Sequence, residues 1–391
     1  MAGTRAPIGR RNEKLFRSRW CFGPIVRSIV DDKKLRWDQD VISQPSSLPR
    51  LLSIATAVPP HVLHQDHIIQ ESRDLLGARF SQFDRLAPAF QNAGIDTRHS
   101  VVPLDWFRQP HGWVDRTRAY ADGATALFRE AAGSALDQAG LSAAQVDIVV
   151  TVSSTGIVTP TLEALTAKAM GFRADVMRVP VFGLGCAGGV SGLSIARDLA
   201  LARPGAVVLM VAVETCTVLF RLDRLTKADI IATALFGDGA AAVVLRAGVA
   251  GDDAQPELGQ GRQHMWPDTL DIMGWTVEET GLGVVFDRSI PAFAEAELRA
   301  ALDGLAPDRA VDRHVCHPGG AKVVTALETT LDLAPGTLDV ERQVLARCGN
   351  MSAPTVLFVL DAVLRSGQRG NLLTLALGPG FTLSTLPVTV S

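Results

Sequence analysis

Short, unbroken apolar runs alternate along this chain with segments whose apolar residues recur every three or four positions. That alternation limits the fold more than any other feature. Leu51 to Ala57, Val146 to Val152, Val176 to Phe182, Ala206 to Val213 and Ala240 to Arg246 have the length and composition of buried strands. Between them, Asp115 to Ala139 reads as a helix. Its apolar positions Tyr120, Ala124, Leu127, Phe128, Ala131 and Ala135 fall on one face, and Gly140 stops it. Pro160 to Met170 and Ala187 to Ala202 read as two more helices. The theme returns after a polar, Gly-rich stretch, Gly248 to Gln263, which reads as a linker or surface excursion. Helices are expected over Ile290 to Leu305, Lys322 to Leu331 and Met351 to Arg365, with strands over Arg313 to Cys316 and Leu372 to Leu377. Strands without polar alternation need both sheet faces covered. The pattern therefore predicts an internally duplicated, layered α/β protein with a mainly parallel sheet. The expected divisions are 1–48, 49–247 and 248–391.

Composition narrows the function. The chain has 391 residues, 47% hydrophobic and 20% charged, with a net charge of -3. So small a charge gives no electrostatic reason to expect nucleic acid or an anionic membrane as partner. No apolar run approaches the roughly 20 residues of a membrane-spanning helix. The segment 1–48 is rich in Lys and Arg, from Arg5 to Arg36, and reads as a basic, flexible tail rather than a signal peptide. Five scattered cysteines, Cys21, Cys186, Cys216, Cys316 and Cys348, form no CxxC pair, so neither a zinc ribbon nor a disulfide scaffold is expected. A reducing cytoplasm fits, and the question becomes whether one thiol is chemically active.

Four segments carry candidate chemistry. In Gly183-Leu184-Gly185-Cys186-Ala187-Gly188-Gly189 the cysteine sits where a strand meets a helix N-terminus, whose free N–H groups and dipole favour a thiolate. A buried structural cysteine in a Gly-rich turn fits these residues equally well. In His314-Val315-Cys316-His317-Pro318-Gly319-Gly320 a histidine is held by a tight loop, suited to activating a thiol or stabilising an oxyanion. His314 and His317 point to opposite faces of a strand, which argues against metal. In Gly349-Asn350-Met351-Ser352 an amide stands before a Pro-started helix, as a turn residue or as a donor to a carbonyl gaining charge. Leu377-Gly378-Pro379-Gly380-Phe381 is either an ordinary turn or a rigid cavity wall.

Taken together and in order, these segments resemble the type III polyketide synthases, the group of chalcone and stilbene synthases and their bacterial counterparts. The motifs are Gly-Cys-Ala-Gly-Gly at Cys186, Ala-Leu-Phe-Gly-Asp-Gly at Phe236, His-Pro-Gly-Gly at His317, Gly-Asn-Met-Ser at Asn350 and Gly-Pro-Gly-Phe at Gly378. The resemblance covers Leu51 to Val388. It implies a thiolase fold, an internally duplicated five-layered αβαβα core, and a homodimer. Cys186 would take an acyl group from coenzyme A, paired as thiolate with a His317 imidazolium. His317 and Asn350 would stabilise the enolate left when malonyl-CoA loses CO2. The substrates implied are an acyl-CoA starter and malonyl-CoA, with no metal or redox cofactor.

The resemblance also assigns a cavity. Phe236 falls on a gatekeeper position, and Val284 stands where plant members have phenylalanine, which predicts a wider acyl route. Leu219 and Trp275 replace smaller wall residues. Cys216 is a wall thiol, Ser352 lies beside Asn350, and Gly378, Pro379, Gly380 and Phe381 form a wall. Thr159 is expected to reach the partner's cavity. Arg85 and Arg98 are the expected cations for coenzyme A. The expected product is an alkylpyrone or alkylresorcinol. A ketoacyl-acyl-carrier-protein synthase III-like enzyme usually lacks the His-Pro-Gly-Gly and Gly-Pro-Gly-Phe loops. A hydroxymethylglutaryl-coenzyme A synthase uses a glutamate as acid/base. An inactive thiolase-fold binding protein would not need cysteine, histidine and asparagine all in place.

Overall fold

The computed structural model describes residues 48–77, 83–305 and 310–391. The basic segment and Cys21 lie outside them. β1 (Arg50–Ala57) opens the N-terminal half. A small hairpin, β2 (His61–His64) with β3 (Thr97–Ser100), spans α1 (Gln65–Leu76), α2 (Phe83–Leu86) and α3 (Pro88–Gln91). The chain continues through α4 (Trp113–Gln138), β4 (Ile148–Val152), α5 (Leu162–Met170), β5 (Met177–Val181), α6 (Gly188–Ala202), β6 (Val208–Thr215), α7 (Lys227–Leu235) and β7 (Asp238–Arg246). The C-terminal half comprises β8 (Glu257–Leu258), β9 (Arg262–Met265), a second hairpin of β10 (Met273–Val277) and β11 (Leu282–Phe286), α8 (Ile290–Gly304), β12 (Arg313–Cys316), α9 (Ala321–Thr330), α10 (Asp339–Cys348), α11 (Thr355–Arg365), β13 (Gly370–Gly378) and β14 (Thr382–Val390).

Strand β6 shows why both sheet faces are covered. All eight of its residues are buried. Leu209, Val211 and Val213 face one way, onto Tyr120, Leu127 and Phe128 of α4. Val208, Met210 and Ala212 face the other way, onto Val190, Leu193 and Ala196 of α6 and Val356 and Leu360 of α11. Those two helices also touch the second sheet, β12 to β14, which the two-residue β8 joins to the first, through Leu372, Ala376, Leu386 and Val388. Its far face, Leu375, Leu377 and Leu383, is covered by Leu298 of α8 and Leu327 of α9. The result is helix, sheet, helix, sheet, helix, the expected five-layered αβαβα core of the thiolase fold.

The strand directions differ from expectation. The order is β5-β4-β6-β7-β1-β8-β14-β13-β12, with β9 also on β14. Only β4–β5, β4–β6 and β12–β13 are parallel, while β1–β7, β6–β7 and β13–β14 are antiparallel. A strand buried on both faces has the same continuous apolar run in either direction, so hydropathy cannot distinguish them. Gly248 to Gln263 is also more than a linker, because Glu257–Leu258 bridges β1 to β14 within the sheet. The expected closing strand, Leu372 to Leu377, is the inner part of β13, and β14 follows it.

Leu193 is completely buried between the two sheets. Its truncation removes contacts that no neighbouring layer can replace. Leu193→Ala is expected to lower unfolding free energy by about 2–5 kcal/mol, measured by urea denaturation.

Candidate active site

Cys186 sits in a 3-10 turn, Gly185–Ala187, that runs into α6. Two features fix the turn. Gly185 has a φ of +47°, and a Cβ there would lie 2.7 Å from the ring of Pro379, so only glycine fits. The Ser154 hydroxyl accepts the N–H groups of Gly183 and Gly185 at 3.2 and 3.3 Å. Ser154 in turn donates its own N–H to Glu214 at 2.9 Å, and the Thr155 hydroxyl donates to the same carboxyl at 2.7 Å. Glu214, fully buried at the end of β6, therefore anchors the loop that carries the thiol. Sequence reading missed it. The available signal was an acid directly following the apolar run Ala206 to Val213.

His317 follows β12 and is fixed by its N–H bond to the Leu375 carbonyl at 2.9 Å. Its ring is buried, and neither ring nitrogen has a hydrogen-bond partner among the described residues. Asn350 follows Gly349 and is locked by a bridge to Phe236: its N–H donates to the Leu235 carbonyl at 2.9 Å, and Gly237 N–H donates to its carbonyl at 3.0 Å. The side chain is oriented as well. Nδ2 donates to the Gly319 carbonyl at 3.1 Å, and Oδ1 accepts the Ser352 N–H at 2.8 Å. Cys186 Sγ lies 4.0 Å from Oδ1. An amide nitrogen has two protons, so one remains for a ligand. Cys186, His317 and Asn350 line one chamber with Phe286, Leu375 and Leu377.

Burial dominates the electrostatics. It pushes the Cys186 thiol up to about 11, against hydrogen bonding from Ser352. It pushes the His317 imidazole down to about 4. Each group alone is therefore neutral at pH 7. A proton passed from thiol to imidazole creates two opposite charges in one low-dielectric chamber, each stabilising the other.

The surrounding walls join three further spaces. Phe236, Trp275, Val284, Ser352 and Pro379 line a compartment that also contains Cys186. Trp275 and Val284 are cross-strand partners in the β10–β11 hairpin, and the Trp275 ring lies 5.8 Å from that of Phe236. On the far side of these three residues is an apolar chamber of about 740 Å³, part of it open, which includes Cys216, Leu219, Phe107 and Phe220. In another direction, Phe286, Ile290, Gly319 and Val323 are shared with a cleft of about 970 Å³ that carries Arg85, Arg288 and Lys322. The last two cations were missed, because single charges in helix-adjacent sequence look like solvated surface.

Five expected residues stand differently. Arg98 is buried in the wall of the apolar chamber rather than beside Arg85 in the other cleft, and its Nη1 donates to the Phe236 carbonyl at 2.7 Å. Phe381 is turned into the C-terminal core, with its ring 5.7 Å from Trp266 and 5.1 Å from Phe293, leaving Pro379 as the loop's wall residue. Gly378 packs on the Cys186 turn, where a Cβ would lie 2.6 Å from Ala187 N, and Gly380 (φ +94°) completes the bend. Thr159 is exposed in the loop between β4 and α5, outside the chambers lined by its own chain.

Burial raises the Glu214 carboxyl from its ordinary 4.5 to about 7, against four hydrogen bonds that lower it. Because the folded value is the higher one, its stabilising contribution is present at low pH and is lost as pH rises through about 7. Glu214→Gln cannot ionise. Between pH 4.5 and 7 the urea midpoint of this variant is expected to gain steadily on that of the wild type, followed by circular dichroism.

Comparison with known proteins identifies the family. Residues 115–249 match the N-terminal domain of chalcone and stilbene synthases, and residues 257–390 match their C-terminal domain. A 1,3,6,8-tetrahydroxynaphthalene synthase of Streptomyces peucetius is 39% identical over 342 residues, covering 84% of this chain and 90% of that protein. A putative chalcone synthase of Bacillus subtilis is 32% identical over 358 residues, covering 86% and 97%. The crystal structure of the tetrahydroxynaphthalene synthase of Streptomyces coelicolor, described as a bacterial type III polyketide synthase, superposes with a TM-score of 0.81 at 28% identity, covering 88% of this chain and 99% of that one. The chain belongs to the chalcone and stilbene synthase family and is a type III polyketide synthase, an acyltransferase.

Proposed function

We propose that Cys186 is the acyl carrier and that His317 and Asn350 drive decarboxylation of malonyl-CoA. The observation that carries this reading is the convergence of a buried thiol, an unpartnered imidazole and an oriented carboxamide on one chamber. Cys186, having given its proton to His317, attacks the starter thioester carbonyl, and coenzyme A leaves as the thiolate. Malonyl-CoA then enters and loses CO2. The electron pair of the broken C–C bond forms an enolate, whose oxygen accepts the free Asn350 N–H and a His317 N–H. The enolate carbon attacks the Cys186 thioester and expels the cysteine thiolate. The product is a coenzyme A thioester two carbons longer. No step transfers a hydride or requires a metal. Arg85, Arg288 and Lys322 suit the coenzyme A phosphates at the mouth of their cleft.

For the starter, we favour an aliphatic acyl group, with an alkylpyrone or alkylresorcinol as product. The apolar chamber is of ligand size, and small Val284 lies between it and the thiol. A malonyl-primed aromatic product is the second reading, favoured by the activity for which the Streptomyces relatives are named. For assembly, we propose a homodimer through the β5 edge. Ile157, Leu165 and Phe182 are exposed there around Thr159.

Incubation with malonyl-CoA and acyl-CoA starters of increasing length, followed by mass analysis, separates the two readings. Products carrying the fatty acyl chain are expected; a malonyl-only product with every starter establishes the second reading. Cys186→Ala is expected to stop condensation without loss of fold, and wild-type product yield from it would refute the carrier role. Val284→Phe is expected to shift starter preference toward short chains, read as relative kcat/KM across the series.

A further inference from the structure

Arg98 is an unusual residue to find in this interior. It is 3% exposed, its Nε has no hydrogen-bond partner, and no carboxylate makes an ion-pair contact with it among the described residues. Asp238 offsets its charge only from a distance, and burial lowers its pKa to about 10, so it stays charged. A buried, partly unsatisfied cation destabilises a fold relative to an apolar side chain of the same shape. Core packing therefore does not account for it.

Its contacts point to a task. The one hydrogen bond from Nη1 goes to the carbonyl of Phe236, a backbone group that the bridge to Asn350 leaves free. Its stem fills the space left by the two glycines that flank the bridge. A Cβ on Gly349 would lie 2.9 Å from Arg98 Cγ and 3.0 Å from Cδ, and one on Gly237 would lie 3.4 Å from Arg98 Cβ. Gly349 immediately precedes Asn350, and Gly237 immediately follows Phe236. One side chain thus holds both strands of the shortest pairing in the active site.

We infer that Arg98 is a positioning residue: by clamping the Phe236–Asn350 bridge it sets where the Asn350 carboxamide meets the malonyl thioester oxygen. It touches no reacting atom. The proposal rests on the assignment of Asn350 to decarboxylation, and it separates two steps. Acylation of Cys186 depends on the Gly183–Cys186 turn, which Ser154 and Glu214 hold without Arg98. Decarboxylation depends on the clamp.

The test compares two rates in the full-length enzyme: single-turnover acylation of Cys186 by an acyl-CoA, read by mass spectrometry, and CO2 release from malonyl-CoA. Arg98→Met keeps the stem and removes the donor. It is expected to lower kcat for decarboxylation on the order of ten- to a hundredfold while acylation changes less than about threefold. Arg98→Lys keeps charge and stem but loses the planar fork, and is expected to fall between wild type and Arg98→Met. A generally loosened fold would slow both steps together, so equal slowing, or an unchanged ratio in either variant that remains folded, overturns the proposal. If the wild type acylates but releases no CO2 from malonyl-CoA, the functional reading fails instead.

Discussion

Helix α6 is buried along most of its length, and wholly so at its N-terminal end. Its residues Val190, Leu193, Ala196 and Ala200 are buried between two sheets, and its neighbour in that layer is α11. A helix in this position must begin inside the protein. The turn that starts it, with Cys186, is therefore interior as well. The same layering explains where the other two residues of the chamber sit. His317 leaves the end of β12 and Asn350 lies just ahead of α11. Covering both faces of two sheets thus brings three distant stretches of chain to one place.

Much of this was readable in the residues. The trio Cys186, His317 and Asn350 is legible because each sits beside glycine or proline in a turn, where a polar residue has few structural reasons to be. The layering is legible because fully apolar strands such as β6 demand cover on both faces. Strand direction is not, since burial erases the alternation that separates an exposed face from a covered one. The burial of two polar residues, Glu214, which went unnamed, and Arg98, expected as a coenzyme A ligand, was not legible for a related reason. Glu214 and Arg98 carry charges, and charged residues are mostly exposed. Their burial follows from partners far away in sequence, Ser154 and Thr155 for one and Phe236 for the other. Phe381 failed in the opposite sense: a turn next to a cavity still needs an anchor, and its aromatic ring is that anchor against Trp266 and Phe293.

The chamber itself is a set of compromises between solvation and charge. Burial that gives electrostatic groups their strength also keeps Cys186 and His317 neutral when each is considered alone. Reactivity then belongs to the pair.

The β10–β11 hairpin is a two-stranded ribbon outside the main sheet. It is moored by Arg224, which donates to the Val284 carbonyl at 3.2 Å, by the Arg221–Glu278 ion pair at 2.7 Å, and by Trp113, which donates to the Glu278 carbonyl at 2.9 Å. Only the last of these reaches the layered core, through the first residue of α4. The ribbon adds no strand to the main sheet, and it carries Trp275 and Val284 into the wall beside Phe236. An architecture that hangs part of its cavity wall on a ribbon beside the sheet, and its thiol, imidazole and carboxamide on the layered frame, separates the shape of a chamber from the groups that face into it.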